Sequence, residues 1–285
     1  MKTNDEKLKY LNESLNSSYE NLSQIDWYYI SIHQKLSEDF IREFKDEVDW
    51  DFISKYQKLS EEFIERNKDL VDWYYISLYQ NLSKEFIERN KDLVNWNLIS
   101  MSQKLSEEFI QRNKDLVDWD CISRYQKLSE EFIERNKDLV YWDWISTCQK
   151  LNEEFIKKHN LKISENNWNY KSKEYKLNYI KENTSYEVID GEYIIAYKSV
   201  RSDNYSAFNF QYKYEIGETY YSHCDCNIDE ENSFGLSSWM KEEALGYYDT
   251  GKLLKVQIPI ESIGAIVHNN KKIRSYGLTV LEECV

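Results

Sequence analysis

Along the first 165 residues the apolar positions recur with a period set by tryptophan. Trp27, Trp50, Trp73, Trp96, Trp119 and Trp142 stand 23 residues apart. Each heads the same series: Ile three residues on, Ser four, Gln seven, Leu nine, Phe-Ile thirteen and fourteen and, in most copies, Leu-Val twenty and twenty-one. The segment FIERNKDLV returns at 63–71, 86–94 and 132–140. A fixed period of this length is the signature of a tandem array. Each unit holds two helix starts, because Asp26, Asp49, Asp72, Asn95 and Asp118 precede the Trp, while Ser37, Ser60, Ser83, Ser106 and Ser129 precede pairs of Glu or Lys. Oxygen side chains at those places accept from the free N–H groups of a helix N-terminus. The unit is therefore expected to be two helices of about two turns each, marginal alone and stabilised by stacking, with the whole stripe from Trp to Leu-Val forming a continuous core and each Trp largely buried. The predicted fold is an α-solenoid of 23-residue two-helix repeats followed by a small α+β domain. A degraded seventh unit starts at Asn167-Trp168, where Lys171 replaces the core Ile, as expected of a polar end.

Beyond Tyr186 the period changes to two. EYIIAYKSV (192–200), FQYKYEIGETYY (210–221), KLLKVQIPI (252–260) and GAIVH (264–268) read as strands, HNNKKI as a turn before IRSYGLTVLEE, and MKEEALGYY (240–248) as a helix. All seven glycines and the single proline, Pro259, lie after position 190, so tight turns are available only there. The expected divisions are an N-terminal cap over 1–26, six repeats over 27–164, a degenerate repeat, cap and linker over 165–185, and the α+β domain over 186–285.

The repeats vary in a restricted way. The second helix barely changes, whereas the positions one, two, five and six after each Trp are free. At about 100° per residue these fall near 100°, 200°, 140° and 240° from the Trp, on one face of the first helix. Nine of the 24 residues there are Tyr, Phe or Trp, the residues enriched at the centres of interfaces. Positions two and six are expected to lean on the neighbouring unit. Positions one and five are the candidate contact residues: Tyr28, Asp51, Lys55, Tyr74, Leu78, Asn97, Met101, Asp120, Arg124 and Asp143. Drift on a solvated face is the competing explanation. The constant Ser and Gln are read as structural, the Ser allowing close helix approach and the Gln satisfying backbone groups between helices.

The order Trp, Ile-Ser, Leu-Ser, Phe-Ile over about residues 20–183 resembles the Trp-rich tandem repeats of giant-virus proteins of the Mimivirus type. That resemblance implies a viral origin and a helical repeat fold. Tyr197-Lys198, Tyr214 to Tyr220, Gly235-Leu236, Glu243 to Tyr247 and Lys272-Ile273-Arg274 resemble the pattern of an uncharacterised small domain found in phages, bacteria and giant viruses, with Ser237 where its histidine usually follows Gly-Leu. The order of strands and helix is also similar to ADP-ribosyltransferases, which implies Tyr197, Tyr247 and Glu261 as NAD-site residues in an alternative, solenoid-targeted enzyme.

Charge and composition narrow the partners. A net charge of −14 sets an unfavourable field for phosphate backbones, so no nucleic acid is expected. The start MKTNDEKLKYLNES lacks an apolar core and no run of about 18 apolar residues occurs, so a soluble chain in the cytoplasm, or in a virion, with no membrane contact is expected. Five cysteines do not make a disulfide framework. His223-Cys224-Asp225-Cys226 has the wrong spacing for a four-ligand zinc site. No phosphate loop, metalloprotease or nucleophile-elbow motif occurs. The expectation is a non-enzymatic protein–protein interaction scaffold, with no cofactor, no metal and a protein partner.

Overall fold

The computed structural model describes residues 3–207, 210–247 and 251–284, in two compact units, 1–98 and 99–285. Helix α1 (Asn4–Leu15) opens on a capping box in which Thr3 and Glu6 satisfy each other's backbone N–H. Helix pairs α2 (Trp27–His33) and α3 (Glu38–Glu43), α4 (Trp50–Tyr56) and α5 (Glu61–Arg66), α6 (Trp73–Tyr79) and α7 (Lys84–Arg89) follow. Then come α8 (Trp96–Ser102) and α9 (Glu107–Arg112), α10 (Trp119–Tyr125) and α11 (Glu130–Arg135), α12 (Trp142–Cys148) and α13 (Glu153–Lys158). The expected caps form. Asp49 accepts from Asp51 and Phe52 N–H, Asp72 from Tyr74 and Tyr75, and Ser60 and Ser83 accept from Phe63 and Phe86. Tyr141 replaces the Asp before Trp142 and offers no side-chain cap.

Within each unit, three hydrogen-bond ladders tie repeats together. Gln80, buried, donates from Nε2 to the Ser54 and Gln57 carbonyls (both 2.8 Å) and accepts at Oε1 from Leu59 N–H (3.1 Å). Gln57 repeats this toward Ser31, Gln34 and Leu36. In the second unit, Gln126 and Gln149 do the same. The buried Ser is more than a small residue. Ser54 Oγ donates to the Trp50 carbonyl and accepts from Asp72 N–H of the next repeat at 2.9 Å, as Ser123 does for Tyr141. The third ladder, unforeseen in the sequence, is the Glu that opens α3, α5, α9 and α11: Glu38 accepts from Ser60 N–H and Glu107 from Ser129 N–H, both at 2.6 Å, while α7 opens on Lys84. First helices pack on one another, α2 on α4, α4 on α6 and α10 on α12.

The apolar series divides between core and surface differently from the expectation. Ile, Phe and Ile are buried in the first five repeats, as are Val71, Val94, Val117 and Val140, while Ile156 of the sixth repeat is half-buried. The preceding Leu70, Leu93, Leu116 and Leu139 are 42–44% exposed. A tight turn after each second helix, with Leu70 and Val71 N–H both donating to the Asn67 carbonyl, aims Val inward and Leu outward. The tryptophans, expected to be largely buried, are half-buried. Trp50, Trp73, Trp119 and Trp142 each stack on the Phe of their own second helix, Trp73 on Phe86 and Trp119 on Phe132 at 6.2 Å, and each donates from Nε1 to the carbonyl five residues back, Trp73 to Lys68 at 3.0 Å. Trp is thus a bracket between helix and turn, and Phe is the core.

The last third is an antiparallel sheet. Its strands are β1 (Val188–Ile189), β2 (Tyr193–Val200), β3 (Thr219–Tyr221), β4 (Leu236–Trp239), β5 (Lys252–Pro259), β6 (Ile263–Val267), β7 (Lys272–Ser275) and β8 (Gly277–Cys284). The order is β3-β8-β5-β2-β4-β7-β6, with β1 added beside β2. The stretch 210–221, expected as one strand, is extended only at its end. Tyr214 turns inward to be buried, and Gly217 at φ +87° makes the bend that precedes β3. His268, Asn269 and Asn270 all take positive φ, giving the expected turn. The expected helix at 240–248 is α15 (Lys241–Tyr247), preceded in the chain by α14 (Lys173–Asn183); Tyr248 lies outside the described residues.

Residues 165–185 are more than an end cap. Trp168 is buried and, with Leu177, Tyr179 and Ile180, joins the core of the sheet domain beside Ile194, Val256 and Ile273. Asn167 Nδ2 donates to the Thr147 carbonyl at 2.8 Å, and Tyr170 hydroxyl takes the place of the ladder Gln, accepting from Leu151 N–H at 3.1 Å. The seventh unit therefore finishes the ladders on one side and the sheet core on the other. Among the described residues no helix is long and apolar enough to cross a membrane.

Candidate functional site

The variable face has two environments. In unit 1–98 its rings lie at the surface. Tyr28 and Tyr74 are 57% and 51% exposed. Tyr28 meets Phe52 edge-on at 4.7 Å, Phe52 approaches Tyr56 at 5.9 Å, and Tyr75 approaches Tyr79 at 6.1 Å. Lys55 Nζ sits over three rings, Tyr56 at 4.9 Å, Tyr75 at 5.5 Å and Tyr79 at 5.6 Å. The Tyr56 hydroxyl bonded to it holds Lys55 above the usual lysine range, so the ammonium stays charged at neutral pH. Beside it, Asp51 is exposed, and partial burial together with Asp72 and Asp49 raises its carboxyl. Leu78 is half-buried and Asn97 exposed. At positions two and six Phe52, Tyr75, Tyr56 and Tyr79 are partly covered, whereas Tyr29, also at position two, is 50% exposed.

In unit 99–285 the same face is occupied by the segment between β3 and β4. Arg124 is seated over Trp144 at 4.2 Å and Tyr125 at 5.2 Å, and pairs with Glu230 at 3.1 Å. Tyr125 meets Phe234 edge-on at 4.9 Å, and His223 stacks on the other side of Phe234 at 5.4 Å. Gln211 donates to the Ser102 carbonyl, and Trp168 N–H donates to the Cys226 carbonyl at 3.3 Å. Asp120 accepts from Trp144 Nε1 at 2.9 Å, fixing that ring under the guanidinium. Met101 is half-buried and Asp143 exposed. Arg124 was legible as a contact candidate. Its partner was not, because an acidic run such as Asp229-Glu230-Glu231 is usually a solvated loop.

Burial of His223 pushes its imidazole down to about 4, with the charge of Lys127 acting in the same direction. The unfolded value is the ordinary one near 6.5, so the neutral form favours the docked state and its contribution is complete above that pH. It is lost as pH falls from about 6.5 toward 4, up to roughly 3 kcal/mol. Amide exchange of residues 222–234 should therefore accelerate between pH 6.5 and 4.5, beyond the intrinsic pH effect. His223→Phe should flatten that component.

The cysteines are packing groups. Cys224 and Cys226 are buried, and Gly235, at φ +129°, passes so close that a Cβ there would lie 2.8 Å from Cys224 Sγ. Among the described residues Asp118, Asp120 and Cys121 bring potential metal ligands within 4.8 Å of one another. Each is otherwise engaged: Asp118 caps α10, Asp120 holds Trp144, and burial pushes the Cys121 thiol up to about 12. The residues implied by the transferase likeness do not converge. Tyr197 pairs with Lys255 across the sheet, whereas Glu261 follows the end of β5, whose Pro259 pairs with Tyr193 four residues away, a separation of about 13 Å along the strand. Tyr247 packs at 4.9 Å on Trp239, the cross-strand neighbour of Tyr197, so it is Glu261 that stands apart from the two tyrosines. Comparison with protein families, curated proteins and solved structures gives no match to this chain.

Proposed function

We propose that this chain is a non-enzymatic protein–protein interaction scaffold: an α-solenoid of two-helix repeats whose first helices present a variable aromatic face to a protein partner, joined to a sheet domain. One observation carries this reading. Where the face is covered, polypeptide covers it: the segment between β3 and β4 meets Arg124 and Tyr125 through an ion pair and a ring contact, and Gln211, ahead of β3, donates its side-chain amide to the Ser102 carbonyl. The face has the chemistry of a protein interface, with aromatic anchors, an arginine and a polar rim. The constant Ser and Gln bind repeat to repeat, so they are held fixed while positions one, two, five and six are free to specify the partner. The resemblance of the repeats to viral ones supports a scaffold of the host cytoplasm or virion.

The test uses the full chain as bait and the identified partner as titrant. Tyr28→Ser and Tyr74→Ser should each weaken binding by more than about 1 kcal/mol with circular dichroism unchanged, since their rings are exposed and carry little of the core. Unchanged affinity in both variants would mean that the face drifts without a partner.

A further inference from the structure

Repeats 2 and 5 are alike at the positions where the other repeats differ. Trp-Asp-Phe-Ile-Ser-Lys-Tyr-Gln (50–57) and Trp-Asp-Cys-Ile-Ser-Arg-Tyr-Gln (119–126) share Asp, a cation and Tyr at positions one, five and six. The remaining repeats have Ile32, Leu78, Met101 and Thr147 at position five. The following repeat supplies an aromatic at position two in both cases, Tyr75 and Trp144. The likeness is also geometric. Arg124 lies over Tyr125 and Trp144, Lys55 lies over Tyr56 and Tyr75, and in each case the two first helices pack together.

The occupant of the first of these sites defines the chemistry both are built for. Glu230 pairs with the ring-seated cation and Phe234, four residues later, meets the position-six tyrosine. Asp118 and Asp120 stand beside that site, yet the acidic segment docks there; Asp49 and Asp51 flank Lys55 in the same places. Among the described residues Lys55 makes no ion pair with a carboxylate; its ammonium lies over three ring faces and beside the Tyr56 hydroxyl. A ring-seated ammonium has given up part of its hydration and gains most from an anion delivered with its own apolar neighbour.

Resting on the interaction reading above, we propose that repeats 2 and 3 form a receptor for a partner-protein segment in which a carboxylate is followed four residues later by an aromatic ring. Lys55 takes the carboxylate, Tyr56 takes the ring, and Tyr75 with Tyr79 walls the cation. The sheet domain fills the equivalent site of repeats 5 and 6 in cis; repeats 2 and 3 bind in trans.

The test uses the full-length protein and a fluorescein-labelled nonapeptide with the sequence of residues 227–235, followed by fluorescence polarisation. Saturable binding is expected, weakened at least tenfold by Lys55→Glu with circular dichroism unchanged. A peptide carrying Lys in place of its fourth residue, the counterpart of Glu230, should fail on the wild type and bind Lys55→Glu. Absence of saturable binding, indifference to Lys55→Glu, or no recovery with the swapped peptide overturns the proposal. So does self-association of the wild type that Lys55→Glu abolishes, because a second copy would then be the occupant. If the peptide fails while Tyr28→Ser and Tyr74→Ser still weaken the captured partner, only this assignment falls; if those variants are silent too, the interaction reading falls with it.

Discussion

Phe86→Ala should destabilise the third repeat by about 3–5 kcal/mol, and Trp73→Ala by only about 2 kcal/mol. The ranking inverts what the sequence suggests, where Trp is the invariant of the array. Phe86 is fully buried, and its removal leaves a cavity between two short helices that cannot collapse onto it. Trp73 is half-buried. It loses one ring contact with Phe86 and the hydrogen bond to Lys68, and part of the space it leaves opens to water. Because the short helices rely on neighbours, the loss at Phe86 should spread to the second repeat. Hydrogen exchange resolved by repeat measures both effects, and equal costs for the two variants would show that Trp is core after all.

Gln80→Leu should cost about 3 kcal/mol or more, although leucine is of similar size and better suited to an apolar interior. The variant strips partners from the Ser54 carbonyl, the Gln57 carbonyl and Leu59 N–H, all in the buried seam between repeats. A buried polar group left unpaired costs about 1–3 kcal/mol, and the gain in apolar burial offsets only part of three such losses. Gln34, whose side chain has no such ladder to an earlier repeat, supplies the comparison: Gln34→Leu should change stability by no more than about 0.5 kcal/mol. Urea denaturation followed by circular dichroism distinguishes the two. A cost at position 80 as small as that at position 34 would remove the ladder from the account.

Much of the array was legible because repetition multiplies weak signals. One Asp before one Trp is a poor helix start; five in register leave little choice, and the caps at Asp49, Asp72, Ser60 and Ser83 form as read. Leu70 and its equivalents misled because periodicity alone does not distinguish the two residues of a tight turn that aims one inward and one outward. Ser54 and Glu38 act between repeats, across 18 and 22 residues of chain, a distance at which side-chain spacing carries no signal. In the sheet, β2, β5 and β6 followed from their β-branched alternation, whereas β4 was missed because Leu-Ser-Ser-Trp has little strand propensity and is held by β7 and by Trp239 pairing with Tyr197. The candidate site was half legible. Restricted variation picked out Arg124 and Lys55, but only the folded chain brings Glu230, 106 residues away, to one of them.

That contact gives the most direct test of the central claim, that the variable face of the first helices recognises polypeptide. Arg124→Glu and Glu230→Arg each place like charges together at the partly covered contact beside Phe234. Amide exchange across residues 222–235 should accelerate about tenfold in each single variant, equivalent to about 1.4 kcal/mol, and return toward the wild-type rate in the double variant. Exchange that is unchanged in Arg124→Glu, or that is additive rather than restored in the double variant, would contradict the claim, because the segment would then be held by the sheet alone and the face would recognise nothing.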